Sequence, residues 1–156
     1  MRKLWLLLAC CTLTLLAAAQ SKQKAEREFL QQLSQILKKS AVQHWGFEGK
    51  MTVDSTFAIN RDGLLSLTVR YHSDTGYTRS RMVVPMNKIR EVAYDLYIIL
   101  RSEDDQVIYY ESENNKEELH ETGKGYFFHI GAPLPEDVKY QEKLQKALDK
   151  VLKFYR

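Results

Sequence analysis

Two changes of hydrophobic period divide this chain and leave few folds open to it. From Ser21 to about Val42 the apolar residues Phe29, Leu33, Ile36, Leu37 and Ala41 fall at i, i+4, i+7, i+8 and i+12, one stripe of an amphipathic helix. Trp45-Gly46-Phe47 is predicted to end it. From there the spacing drops to two. Phe47, Met51, Val53, Phe57 and Ile59 hold odd positions, with Lys50, Thr52, Asp54 and Thr56 between them, as in a half-buried strand. Past Pro135 the helical spacing returns in Leu144, Leu148, Val151, Leu152 and Tyr155, with Val138 extending the stripe backward. Strands flanked by two one-faced helices predict an α+β domain, because each apolar face must be buried against another.

Asn60-Arg61-Asp62-Gly63 is a turn whose glycine can supply positive φ. Leu65, Leu67, Val69 and Tyr71 then alternate back against Ser66, Thr68, Arg70 and His72. A second turn, His72 to Gly76, leads into a strand over 77–84 that Pro85 stops, since proline has no N–H for a ladder. Val92 to Leu100 reads as one central strand, apolar on both faces. Val92, Tyr94, Leu96, Ile98 and Leu100 point one way; Ala93, Asp95, Tyr97 and Ile99 point the other. Residues 107–110 and 126–130 supply two more strands. Glu111 to Lys124 carries seven charges and no apolar residue except Leu119, which predicts an exposed, mobile loop. The expected architecture is an N-terminal helix, an antiparallel meander of about six strands curled as a sheet or half-open barrel, and a C-terminal helix packed on it.

The order of elements over roughly residues 47–155, a meander closed by a C-terminal helix, resembles a pleckstrin-homology-like fold. The resemblance includes no diagnostic motif and leaves the first helix over. It implies an architecture and no site.

The first nineteen residues read differently. Arg2 and Lys3 precede an uncharged run, Leu4 to Ala19, that ends in Ala17-Ala18-Ala19. This is the layout of a secretory signal peptide with an A-x-A cleavage site between Ala19 and Gln20. Sixteen residues fall short of the roughly 20 that a spanning helix needs. Two other fates fit the same segment: lipidation at Cys10 of a lipobox-like Leu7-Leu8-Ala9-Cys10, or an uncleaved anchor. Contact with a membrane is expected only in those two cases. Residues 20–156 then form a single α+β domain, exported as a periplasmic or secreted protein.

Cys10 and Cys11 are the only cysteines, and cleavage after Ala19 removes both. The remaining chain has no disulfide or thiolate chemistry and no N-x-S/T acceptor. These features lean toward a bacterial cell envelope. Without Arg2 and Lys3, 21 basic residues face 20 acidic ones, which is no footprint for nucleic acid.

No catalytic, phosphate-binding or metal-binding motif is present, and no cofactor is expected. Four histidines, His44, His72, His120 and His129, are scattered, and only Glu118-Leu119-His120-Glu121 folded back on His129 would make a metal site. Asp95 is the one charge inside the central strand. Buried, it would need a partner or a shifted pKa, and with a histidine it would serve a hydrolase or isomerase. Arg70, Arg79 and Arg81 are placed to share one sheet face with Tyr77, a pattern that suits an anionic group or a solvated face. Tyr97 and Tyr109 belong to an aromatic crowd that suits either a core or a stacking ligand. The candidate ligand residues are therefore Arg70, Arg79, Arg81, Tyr97 and Tyr109. The expected function is a small non-enzymatic binding or interaction domain for an envelope protein or small ligand, with a pocketless structural subunit as the alternative.

Overall fold

The computed structural model describes the backbone of residues 2–43 and 50–155 and, within the first helix, the side chains of residues 19–40. The expectations resting on Ala41, His44, Trp45, Gly46 and Phe47 lie outside the described residues. Helix α1 (Arg2–Gln43) is followed by β1 (Met51–Ile59), β2 (Leu64–Ser73), β3 (Gly76–Pro85) and a short 3-10 turn at Met86–Lys88. Next come β4 (Ile89–Asp95), β5 (Tyr97–Ser102), β6 (Val107–Glu111), β7 (His120–Gly125), β8 (Phe127–His129) and helix α2 (Val138–Leu152). The fold is α+β, with an N-terminal helix, antiparallel strands and a C-terminal helix.

The strands form two sheets rather than one meander. Five pair in the order β1-β2-β3-β6-β7 and three in the order β4-β5-β8, and no barrel closes. The division follows from a feature the hydrophobic pattern hides. Val92 to Leu100 is two strands: the chain reverses at Leu96, which takes φ +60°, and Tyr94 pairs with Ile98, Val92 with Leu100. Leu96 is a poor residue for this conformation, since a Cβ there crowds the backbone. Its carbonyl accepts from the Leu134 N–H at 3.0 Å, which helps hold the turn. Because the hairpin pairs even residues with even and odd with odd, both predicted faces survive the reversal.

Further differences follow from main-chain bonding. The polar stretch after Glu111 contains β7, an edge strand that pairs with β6 through its backbone and needs no apolar side chain. The preceding loop is tethered, with Ser112 N–H donating to the Arg79 carbonyl at 3.0 Å and Asn115 N–H to the Tyr77 carbonyl at 2.9 Å. Helix α2 begins after Asp137, whose carboxylate accepts from Lys139 N–H and Tyr140 N–H. That is an N-cap, and it sets the start later than Pro135.

The core lies where the helices meet the sheets. Phe29, Leu33, Ile36 and Leu37 of α1 pack with Leu144, Leu148, Val151 and Leu152 of α2, over Leu65, Leu67 and Val69 of β2 and Ile98, Leu100 and Phe128 of the small sheet. Helix α2 also covers the open edge of β4, where Val92 N–H donates to Gln145 Oε1 at 2.7 Å.

Candidate functional site

The inner face of the large sheet carries the cleft of most interest among the described residues. Next to Leu67 and Val69 this cleft of about 320 Å³ lies between the two sheets. Leu67, Val69 and Met82 belong to its apolar lining, with Tyr71 of β2 and Tyr109 of β6 on the same side. The small sheet contributes Tyr97 of β5 and His129 of β8, whose rings stack edge to face with centroids 5.0 Å apart. Ser80 and Glu111, cross-strand partners on β3 and β6, complete the polar part of the lining with His129. Tyr97 and Tyr109, far apart in sequence, are thus brought to one cavity.

The local reasons are ones of register. Leu67 pairs with Met82 and Met82 with Tyr109, which sets all three on one face. Tyr109 is fixed by its hydroxyl, which donates to the Phe127 carbonyl at 2.9 Å and ties the large sheet to β8. Gly125 is needed beside it, because a Cβ there would lie 2.8 Å from the Tyr109 oxygen. Burial pushes the phenols of Tyr71 and Tyr109 up, and for Tyr71 the nearby Tyr97 and Glu111 add to the effect. Burial also pulls the His129 imidazole down, partly opposed by the charge of Asp95. His129 is therefore held toward its neutral form at neutral pH.

The arginines lie on the opposite face of the same strands. Arg70 and Arg79 are direct cross-strand partners, and both meet Asp54: Arg70 Nε at 3.0 Å and Arg79 Nε at 2.6 Å. Asp54 is the extra residue of a bulge, since Val53 pairs with Val69 and Ser55 with Thr68. A bulge re-aims its side chain in this way. Glu117, from the tethered loop, closes the ring with contacts of 3.0 Å to Arg70 and 3.1 Å to Arg79. Tyr77 stacks under Arg70 at 4.2 Å and donates its hydroxyl to Glu117 at 2.6 Å. The Arg70 hydrogen bond holds the Asp54 carboxyl below its usual range, and those from Tyr77 and Arg70 do the same for Glu117. Two cations and two anions leave no net charge. Arg81 is exposed and forms no ion pair among the described residues.

The remaining candidates stand apart. Asp95 is exposed at the end of the β4–β5 hairpin, not buried in a central strand, and makes no hydrogen bond to a histidine among the described residues. His72 meets Thr52 Oγ1 at 3.2 Å, and His120 is exposed on β7. No group of three His, Cys, Asp or Glu among the described residues is placed to hold a metal ion. A larger groove of about 870 Å³ runs between α1 and β1, but its lining is mostly polar helix surface such as Gln23, Arg27 and Gln31.

Sequence reasoning passed over Tyr71, Met82 and Glu111 in the cleft and Asp54 and Glu117 in the ion network. Tyr71 shares the parity of Leu67 and Val69, a signal that was available. Nothing local announces that Glu117 returns to Arg70, 47 residues away. No protein-family model, curated protein or solved structure matches this chain.

Proposed function

We propose that this chain is an exported, non-enzymatic binding domain of the bacterial cell envelope, and that the cleft between its two sheets holds the ligand. The observation that carries this is the convergence of Tyr71, Tyr97, Tyr109 and His129 over an apolar floor. A small-molecule site is typically a concave apolar pocket of roughly 300–1,000 Å³ with a few placed polar groups. This cleft has that size and composition. A hydrolase or isomerase built on Asp95 finds less support, because Asp95 stands at an exposed hairpin end.

Export is supported by the N-terminal segment, in which Arg2 and Lys3 precede an uncharged run that ends in Ala17-Ala18-Ala19. Ala19 and Gln20 are exposed, and the first buried side chain described in α1 is Ala25. Among the described residues no helix is long and apolar enough to cross a membrane. Intact-mass analysis of the chain from an envelope fraction is expected to show Gln20 as its first residue. A lipid-modified Cys10 or a retained Met1 would replace this account of the N-terminus.

Native mass spectrometry tests the binding role. The chain purified from its source is expected to carry a small-molecule adduct that Tyr97→Ala loses while keeping its thermal midpoint. Identical spectra for the two proteins would remove the cleft as the ligand site.

A further inference from the structure

The lining of the cleft has a sign. Glu111 is exposed at its mouth and forms no ion pair among the described residues. Among the described residues the lining contains no lysine or arginine. The arginines of the same strands, Arg70 and Arg79, are already neutralised on the other face. Three phenol rings, Tyr71, Tyr97 and Tyr109, stand around the same space. An aromatic ring attracts a cation through the negative potential of its face, by about 0.5–2 kcal/mol depending on how far the cation is desolvated.

We infer that the cleft takes an organic cation: an ammonium or quaternary amine carried on a small apolar or planar body. The inference rests on the cleft being the ligand site and names the chemistry that site selects. The body sits against Leu67, Val69 and Met82, and the cation meets the tyrosines and Glu111. The groups facing the space from every strand agree with this. Strand β2 offers Tyr71, β3 offers Ser80 and Met82, β5 offers Tyr97, β6 offers Tyr109 and Glu111, and β8 offers His129. Among the described lining residues only His129 can carry positive charge, and its burial favours the neutral ring; His120, the cross-strand partner of Glu111 on β7, is exposed to water. Asp95, close enough to act on His129, adds a second negative charge to this side of the molecule. An anion would find no lysine or arginine among the described lining residues.

Isothermal titration calorimetry of the full chain at neutral pH separates the possibilities with three probes of similar body: 2-phenylethylammonium, 2-phenylethanol and 3-phenylpropionate. The ammonium is expected to bind roughly tenfold tighter than the alcohol, and the carboxylate more weakly than either. Glu111→Gln should remove most of the preference for the ammonium and leave the alcohol unchanged. Tyr97→Ala should weaken the ammonium and the alcohol together. Equal affinity for ammonium and alcohol, or a preference that survives Glu111→Gln, would overturn the cationic assignment while leaving the cleft a binding site. No binding of any probe to the folded chain would overturn both.

Discussion

On one face of β2 and β3, Arg70 and Arg79 close a ring of charge with Asp54 and Glu117. On the other face of the same two strands, Tyr71 and Met82 line a cleft whose described residues include one carboxylate outside any ion pair and no arginine. The two regions lie back to back, yet their chemistry points to different uses. Opposite charges that already touch have spent their attraction on each other, and here they hold the loop bearing Glu117 across the strands. A charge without a counter-ion beside apolar and aromatic surface remains available to a ligand. A cluster of arginines is therefore not an anion site until its own carboxylates are counted.

The strongest way to break this contrast is to cut into each face in turn. Leu67 is 1% exposed and serves both the core and the cleft floor. Leu67→Ala should cost about 2–4 kcal/mol, read from urea unfolding. On the outer face Asp54→Asn leaves two guanidiniums facing a neutral amide. Its side chain is 16% exposed, so water screens part of the loss, and a cost of about 1–2 kcal/mol is expected. Equal costs on the two faces would erase the distinction between a packed floor and a partly solvated network.

The network also has a pH signature of its own, carried by its carboxylates. Asp54 and Glu117 titrate below their usual ranges in the folded chain. Their contribution is present above the unfolded carboxyl values of about 4 and is lost as the pH falls through the lower folded values. Urea midpoints should therefore drop more steeply on acidification in the parent than in an Asp54→Asn, Glu117→Gln double variant. Parallel curves would show that the ring adds nothing to stability. Smallest of all, Arg81→Ala should change stability by no more than about 0.5 kcal/mol, because Arg81 shares the outer face but makes no ion pair with a described residue there. A larger loss would extend the network beyond Asp54 and Glu117.

Much of the frame was legible in the sequence, for reasons that can be named. The stripe Phe29, Leu33, Ile36, Leu37 and the stripe Leu144, Leu148, Val151, Leu152 are buried, since a helix repeats its face every three to four residues whatever it packs on. The β1–β2 turn was legible because Gly63 takes φ +75°. The reversal at Leu96 was not, because a leucine in a left-handed conformation carries no turn signature and its Leu134 partner is distant in sequence. Strand β7 was hidden for the opposite reason: His-Glu-Thr-Gly-Lys-Gly pairs through main-chain groups at an edge and buries nothing.

The site was legible only in fragments. Parity set Arg70, Arg79, Arg81 and Tyr77 on one face, and their cross-strand pairing agrees, but the bulge at Asp54 and the return of Glu117 decide what that face is for. Tyr97 and Tyr109 stood out as aromatic residues. Their meeting depends on the two-sheet division, which the pattern of the central segment concealed.

The most direct test is where a ligand lands. In a nitrogen-15 NMR titration of the full chain with 2-phenylethylammonium, the amide shifts should concentrate on Tyr71, Tyr97, Tyr109, Glu111 and His129, leaving Asp54, Arg70 and Arg79 unmoved. Shifts centred on Arg70 and Arg79, with the cleft residues still, would contradict the assignment of the cleft as the binding site.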